Sequence, residues 1–140
     1  PSSGESNSEI LEKALDRTLT ELKQAGKEVV LVGPIPEIGW HVLHTLAQRQ
    51  RFSGWLDEVA INPTLDEVLH RNHHTFQLLE QAARKHDARM VVLHPELCDA
   101  INGCRVLEND KPLYFDTDHL TKTGALQLVD QLRPEFERMR

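Results

Sequence analysis

The apolar residues of this chain follow two kinds of pattern, one spaced as in helices and one continuous. Helical spacing begins after Ser6, because a serine with Glu9 three residues later forms a capping box. A glycine, Gly26, then offers the left-handed conformation that ends many helices. Between these two signals runs one apolar stripe, which consists of Ile10, Leu11, Ala14, Leu15, Leu19 and Leu22. The pattern predicts a long first helix.

Three further helices are predicted downstream. Residues 40–50 carry apolar residues at helical spacing. Thr64 with Glu67 forms a second capping box before another apolar stripe. The last helix is predicted to begin at Thr121 or Thr123, because either threonine can cap it.

Two apolar runs show no alternation, residues 29–32 (VVLV) and 90–93 (MVVL). Such runs are typical of parallel strands that helices cover on both faces. Residues 113–115 predict a short third strand. The order of helices and strands therefore predicts a three-layer α/β/α fold around a parallel sheet. Because two strands leave both edges of a sheet unpaired, we expect the sheet to be incomplete in this chain.

Composition narrows the class of protein. The 140 residues are 39% hydrophobic and 27% charged, which is typical of one globular domain. The net charge is −6, and a chain without a basic face is not expected to bind nucleic acid. No apolar run approaches the roughly 20 residues of a membrane span. Residues 1–8 are polar and are expected to form a tail, with the folded portion in residues 9–140.

The clearest chemical signal lies just before the last helix, in residues 113–120 (LYFDTDHL). Asp116 and His119 are three residues apart, so a turn can place both side chains on one side. A carboxylate there accepts the Nδ1 proton of the imidazole and leaves Nε2 free to deprotonate a hydroxyl. The spacing alone fits an aspartate cap beside a surface histidine better. The position supports catalysis, because ligands of open α/β sheets bind beyond the carboxyl ends of the strands.

The segment that follows the first strand, residues 33–37 (GPIPE), lies in the same kind of loop. From position alone, we expect Pro34, Pro36 and Glu37 to line a substrate groove, with Tyr114 at its border. Two prolines that merely end the strand explain the segment equally well, since proline cannot donate to a sheet.

Cys98 and Cys104 flank a segment that contains a turn-forming Asn102-Gly103 pair. Their spacing is too wide for a redox C-x-x-C pair, and no second pair completes a zinc site. The alternatives are two buried thiols or a disulfide, which would contribute about 2 kcal/mol on the chain-entropy model. We favour the disulfide, which would indicate an oxidising compartment.

Histidines invite a metal hypothesis, because His70 and His74 are four residues apart on a predicted helix. No cysteine or carboxylate accompanies them at a convincing spacing. A solvated helix face is the better explanation, and we assign no metal site and no cofactor.

An Asp–His pair needs a nucleophile, and no serine of this chain follows a buried strand in a sharp turn. The serines are Ser2, Ser3, Ser6, Ser8 and Ser53. No oxyanion hole is visible in the sequence either. Activity of this chain by itself is therefore not expected.

Three segments together resemble a known family: residues 29–37 (VVLVGPIPE), Leu97-Cys98 with Cys104, and residues 112–125 (PLYFDTDHLTKTGA). They resemble the C-terminal half of an SGNH/GDSL-type domain. More narrowly, they are similar to the periplasmic SGNH domain of membrane O-acyltransferases of the O-antigen acetylase type. The similarity runs in order from about Glu9 to Leu132.

This resemblance implies an SGNH-like (flavodoxin-like) parallel sheet, a Cys98–Cys104 disulfide, and a periplasmic location as the soluble part of an inner-membrane protein. It also implies that Asp116 and His119 belong to a Ser-His-Asp triad. Such a triad moves an acyl group, commonly acetyl, from an acyl donor to a carbohydrate hydroxyl of the cell envelope.

The sequence departs from the family at its front. The Gly-Asp-Ser block and the Gly and Asn of the oxyanion hole, which normally precede this region, are missing here. The expected partners are therefore the N-terminal half of the SGNH domain and a membrane acyltransferase domain. The alternative is a degenerate, non-catalytic module that binds glycan or a partner domain.

Overall fold

The computed structural model describes residues 6–53 and 61–138. Two strands, β1 (Val30–Val32) and β2 (Arg89–Val91), pair in parallel. The helices are α1 (Asn7–Gln24), α2 (Val42–Ser53), α3 (Leu65–His86), α4 (His94–Leu97), α5 (Lys122–Gln127) and α6 (Val129–Arg138). The predicted α/β class with a parallel sheet is confirmed, and the sheet is small.

The helices begin where the polar residues predicted. The Ser6 hydroxyl accepts the Glu9 N–H at 3.3 Å, and the Glu9 carboxylate accepts the Ser6 N–H at 2.8 Å. Thr64 and Glu67 repeat this capping box at the start of α3. The single last helix that was predicted is two helices, which meet at Leu128. Within the described residues, no helix is long and apolar enough to cross a membrane.

Helix α1 lies along α3, with both polar contacts and one buried apolar residue between them. Of its apolar stripe only Leu19 is buried, whereas Leu11 is 55% exposed. Asp16 accepts from Lys85 Nζ at 2.7 Å and lies 2.6 Å from His86 Nε2. The spacing of the stripe therefore predicted the helix correctly but not which of its residues are buried.

The strands differ from the prediction in two respects. Val32 is 47% exposed, so in the described part of the chain β1 is not covered on both faces. No third strand forms at residues 113–115, where Tyr114 makes one isolated antiparallel bridge to Leu120. The reason is that the chain turns back on itself here, so that Phe115 N–H bonds to the carbonyl of His119 and these residues pair within their own turn.

Two short hairpins went unpredicted: β3 (Cys98–Asp99) with β4 (Gly103–Cys104), and β5 (Leu107–Glu108) with β6 (Lys111–Pro112). Cys98 and Cys104 are directly opposite each other and form a disulfide, as predicted. Gly103 has φ of 74°, and a Cβ there would lie 2.3 Å from the carbonyl oxygen of Pro63. This close approach lets Cys104 N–H donate to the same carbonyl at 2.8 Å.

The hydrophobic core includes buried residues of the connecting segments as well as of the helices and strands. It combines residues from α2, α3, the end of the sheet and the two hairpins. Its fully buried members include Ile38, Val42, Leu97, Cys104, Val106, Leu113 and Tyr114. The core therefore directly supports the turn that contains the predicted Asp–His pair.

Candidate active site

Residues 113–121 form a closed turn with the predicted Asp–His pair at its tip. Phe115 N–H donates to the carbonyl of His119 at 2.8 Å, and Thr121 N–H donates to the carbonyl of Leu113 at 2.9 Å. Leu113, at the base, is 0% exposed. The tip thus projects from a base that is fixed in the core.

The start of α5 holds the other side of this turn. The Thr121 hydroxyl donates to the carbonyl of Pro112 at 2.7 Å and accepts the Gly124 N–H at 3.2 Å. Gly124 packs so closely that a Cβ there would lie 2.2 Å from the carbonyl oxygen of Leu113. The glycine of the DHLTKTGA segment is therefore needed for space.

Asp116 is held by the backbone that follows it. Its Oδ1 accepts the N–H of Asp118 at 3.1 Å and that of His119 at 2.9 Å. These two bonds are the main reason that the pKa of Asp116 is lowered from 3.8 to about 2. At neutral pH the side chain is a carboxylate, which can only accept hydrogen bonds.

His119 lies against that carboxylate through one ring nitrogen. Its Nδ1 is 3.0 Å from Oδ1 and 2.9 Å from Oδ2 of Asp116. Because the carboxylate cannot donate, Nδ1 carries the hydrogen in the neutral imidazole, and in that form Nε2 has a lone pair. The His119 side chain is 73% exposed. The structure thus brings the two predicted residues together in the arrangement of a general base, and their catalytic role stays a prediction.

The second aspartate of the turn is more distant. Asp118 Oδ1 is 3.6 Å from His119 Nδ1 and accepts the Thr117 hydroxyl at 2.7 Å. Donor atoms of Asp116, Asp118 and His119 lie within 4.8 Å of one another, close enough to surround a cation. Hydrogen bonding within the turn already accounts for this proximity, and we assign no metal to it.

The loop after β1 contacts this turn, as the sequence suggested. Ile38 N–H donates to the carbonyl of Thr117 at 2.7 Å, and Val42 N–H donates to that of Asp116 at 3.3 Å. In this loop Pro34 and Glu37 are half-buried. The loop after β1 therefore meets the turn that carries the Asp–His pair, and whether Pro34 and Glu37 contact substrate stays a prediction.

Two of the expected groove residues are core residues instead. Tyr114 is 0% exposed, and Pro36 is also fully buried. The Tyr114 hydroxyl has no hydrogen-bond partner among the described residues, and burial raises the pKa of this side chain. Both side chains belong to the core under the turn. Because they are buried there, neither lines a groove in this structure.

One residue that contacts this region was not predicted from the sequence. Arg71, on α3, donates from Nη1 to the carbonyl of Glu37 at 3.2 Å. An arginine on a polar helix face gives no signal of such a contact, because the loop that it reaches is 34 residues away.

Two other histidines, His74 and His86, have side-chain contacts elsewhere in the described chain. His74 Nε2 lies 2.6 Å from the Ser8 hydroxyl, and His70 is exposed. His86 Nε2 lies 2.6 Å from Asp16, and the His86 side chain is only 10% exposed. Unlike His119, His86 has the nitrogen that a base would use engaged and buried. Within the described residues, no metal-binding group forms around His70 and His74.

No described serine side chain accompanies the pair. Ser6 caps α1, and Ser8 contacts His74. Ser2 and Ser3 lie outside the described residues, as does the side chain of Ser53.

Comparison with solved structures shows a similar fold in the periplasmic domain of the lipopolysaccharide acetyltransferase of Salmonella ser. Paratyphi A. The two chains are 17% identical with a TM-score of 0.70, over 98% of this chain and 53% of the other. This chain thus spans about half the length of that structure. Among curated proteins no match is found.

A family model matches most of the sequence. The model describes the SGNH domain (fused to AT3 domains) and matches residues 2–134. This range contains both strands of the parallel sheet, the disulfide and the turn with Asp116 and His119. The chain therefore belongs to the family of SGNH domains that are fused to AT3 domains.

Proposed function

We propose that this chain supplies the histidine base and its aspartate to an acyltransferase of the SGNH type, with the serine nucleophile outside the chain. The geometry of the pair is the principal support: Asp116 fixes Nδ1 of His119, and the exposed ring leaves Nε2 available. The family, whose domains are fused to AT3 domains, supports acyl transfer. The similar acetyltransferase supports acetyl as the group and an envelope carbohydrate as the acceptor.

The chemistry is a double displacement. The serine hydroxyl gives its proton to Nε2 of His119 while its oxygen attacks the acyl carbonyl, and the imidazolium then protonates the leaving group. The sugar hydroxyl next gives its proton to Nε2 and attacks the serine ester. The acyl group is transferred, and the serine recovers its proton. Asp116 stabilises the imidazolium in both half-reactions and stays ionised throughout.

The same comparisons support the setting that we propose. We place the chain in the periplasm, beside a membrane acyltransferase domain that delivers the acyl donor. The disulfide supports an oxidising compartment. The remaining half of the SGNH domain is the second expected partner, because this chain spans about half of the similar structure.

The test uses the full-length protein that carries this chain. A fluorophosphonate probe labels an activated serine, and p-nitrophenyl acetate reports turnover without knowledge of the natural acceptor. We expect His119→Ala and Asp116→Asn each to lower both signals by at least about 100-fold, the contribution of a positioned general base.

A matched control uses the neighbouring carboxylate. Asp118→Asn removes the same charge but leaves the Asp116–His119 contact in place, and is expected to change turnover by less than about threefold. If His119→Ala leaves labelling and turnover intact, the proposal is wrong. Glycan binding without turnover in the unmodified protein would favour the non-catalytic alternative.

A further inference from the structure

One peptide group joins helix α3 to the turn of the candidate active site. The carbonyl of Glu37 accepts from Arg71 Nη1 at 3.2 Å. The N–H of Ile38, at the other end of the same peptide group, donates to the carbonyl of Thr117 at 2.7 Å. This single planar group is therefore held from both sides.

The arginine also lies flat against the loop. A Cβ on Gly39 would lie 2.6 Å from Cζ and Nη2 of Arg71 and 2.8 Å from its Nε. Gly39 has φ of 86°, a conformation that L side chains rarely adopt. Glycine at this position thus permits both the turn of the chain and the approach of the guanidinium.

A second backbone bond makes the connection stiff. Val42 N–H, at the start of α2, donates to the carbonyl of Asp116 at 3.3 Å. The carbonyls of Asp116 and Thr117 are consecutive, so the loop holds two adjacent peptide groups of the turn. The N–H groups that bind the Asp116 carboxylate come directly afterwards, from Asp118 and His119.

A positive charge near the carbonyl oxygen of a peptide group strengthens the hydrogen bond that the N–H of the same group donates. The group is planar and polarisable, so a cationic donor at the oxygen makes the N–H more positive. Arg71 therefore orients the Glu37–Ile38 peptide and reinforces the 2.7 Å bond to Thr117. Without Arg71 the Glu37 carbonyl loses this donor, and the bond from Ile38 to Thr117 loses its reinforcement.

We propose that Arg71 is a positioning residue for the Asp116–His119 pair and acts through the Glu37–Ile38 peptide. It does not touch the reacting atoms. Its effect on catalysis rests on the proposed function, whereas its effect on the geometry of the turn does not. The chemistry predicts that lysine, which keeps the charge and one donor, replaces arginine in part, and that alanine does not.

The experiment compares Arg71→Ala and Arg71→Lys in the full-length protein. Hydrogen–deuterium exchange at residue resolution follows the Ile38 amide directly, and kcat and KM are measured with p-nitrophenyl acetate. We expect Arg71→Ala to speed Ile38 exchange about tenfold and to lower kcat about tenfold at unchanged KM, the scale of one lost charge-assisted hydrogen bond. Arg71→Lys is expected to recover at least half of each logarithmic change.

Arg84→Ala is the matched control, because Arg84 is on the same helix and pairs only with Glu80 in the contacts described. It is expected to change neither quantity. The proposal is overturned if Ile38 exchange is unaffected in Arg71→Ala, if exchange rises while kcat stays constant, or if Arg84→Ala has the same effects. If the unmodified protein proves inactive, the proposed function fails, and the exchange of Ile38 and of residues 116–119 still decides whether Arg71 positions the turn.

Discussion

Gly124→Ala adds one methyl group at the point where α5 meets the turn of the candidate active site. The added Cβ would lie 2.2 Å from the carbonyl oxygen of Leu113 and 2.9 Å from a methyl group of Leu120. The Leu113 carbonyl does not move easily, because Leu113 is fully buried and this carbonyl accepts the Thr121 N–H. Helix α5 must therefore shift away from the base of the turn.

Two effects of opposite sign decide the outcome. Alanine in place of glycine stabilises a helix interior by about 1 kcal/mol. Overpacking costs about 1–3 kcal/mol, and loss of the bond from Thr121 N–H to the Leu113 carbonyl costs about 1 kcal/mol more. The clash wins, and we expect a net destabilisation of about 2 kcal/mol.

Urea unfolding followed by circular dichroism measures this difference in free energy. The control is Ala125→Gly, because Ala125 is the exposed next residue of the same helix and loses a methyl group without a clash. It is expected to cost about 1 kcal/mol through helix propensity alone. A Gly124→Ala variant as stable as the unmodified chain, or more stable, would refute the argument from close packing.

Three shorter predictions concern other parts of the chain. Replacing both Cys98 and Cys104 by alanine is expected to lower the free energy of unfolding by about 2 kcal/mol, measured by urea unfolding; an unchanged midpoint would contradict it. Thr64→Ala removes the capping box with Glu67 and is expected to cost about 1 kcal/mol in the same assay, whereas a cost near zero would show that solvent replaces the cap. Because the pKa of Asp116 is lowered from 3.8 to about 2, its stabilising contribution is complete only above about pH 5 and is lost as the pH falls through about 2. Carboxyl ¹³C NMR should place the titration midpoint of Asp116 at about 2, and a midpoint near 3.8 would contradict the hydrogen bonds that cause the shift.

Local chemistry explains what could be predicted from sequence. The capping boxes at Ser6 and Thr64 involve residues three apart, so their geometry depends on one helical turn. The disulfide could be favoured because it closes a short loop around a glycine turn. The two strands were visible as apolar runs, although their ends, set by pairing, shifted by one or two residues.

Long-range contacts explain what could not be predicted. Tyr114 and Phe115 are adjacent aromatic residues, and only packing decides that the first is 0% exposed and the second 53%. The hydrogen bond from Arg71 to Glu37 joins residues 34 apart and has no local signature. Pro36 was expected to line a groove, and for the same reason its burial in the core could not be predicted.

Two aspartate–histidine contacts in the described part of the chain, Asp16–His86 and Asp116–His119, show why only the second could be identified from the sequence. Asp16 and His86 are 70 residues apart, and their contact exists only because α1 packs along α3. Asp116 and His119 are three residues apart, and the same carboxylate oxygen that faces the imidazole also accepts two backbone N–H groups of the turn. The contact between Asp116 and His119 is therefore encoded within four residues, whereas the loop after β1 and the start of α5 hold the turn that carries it. As the general base that we propose, this pair would be oriented before a serine from another segment reaches it, so that the nucleophile could come from elsewhere without rebuilding the base.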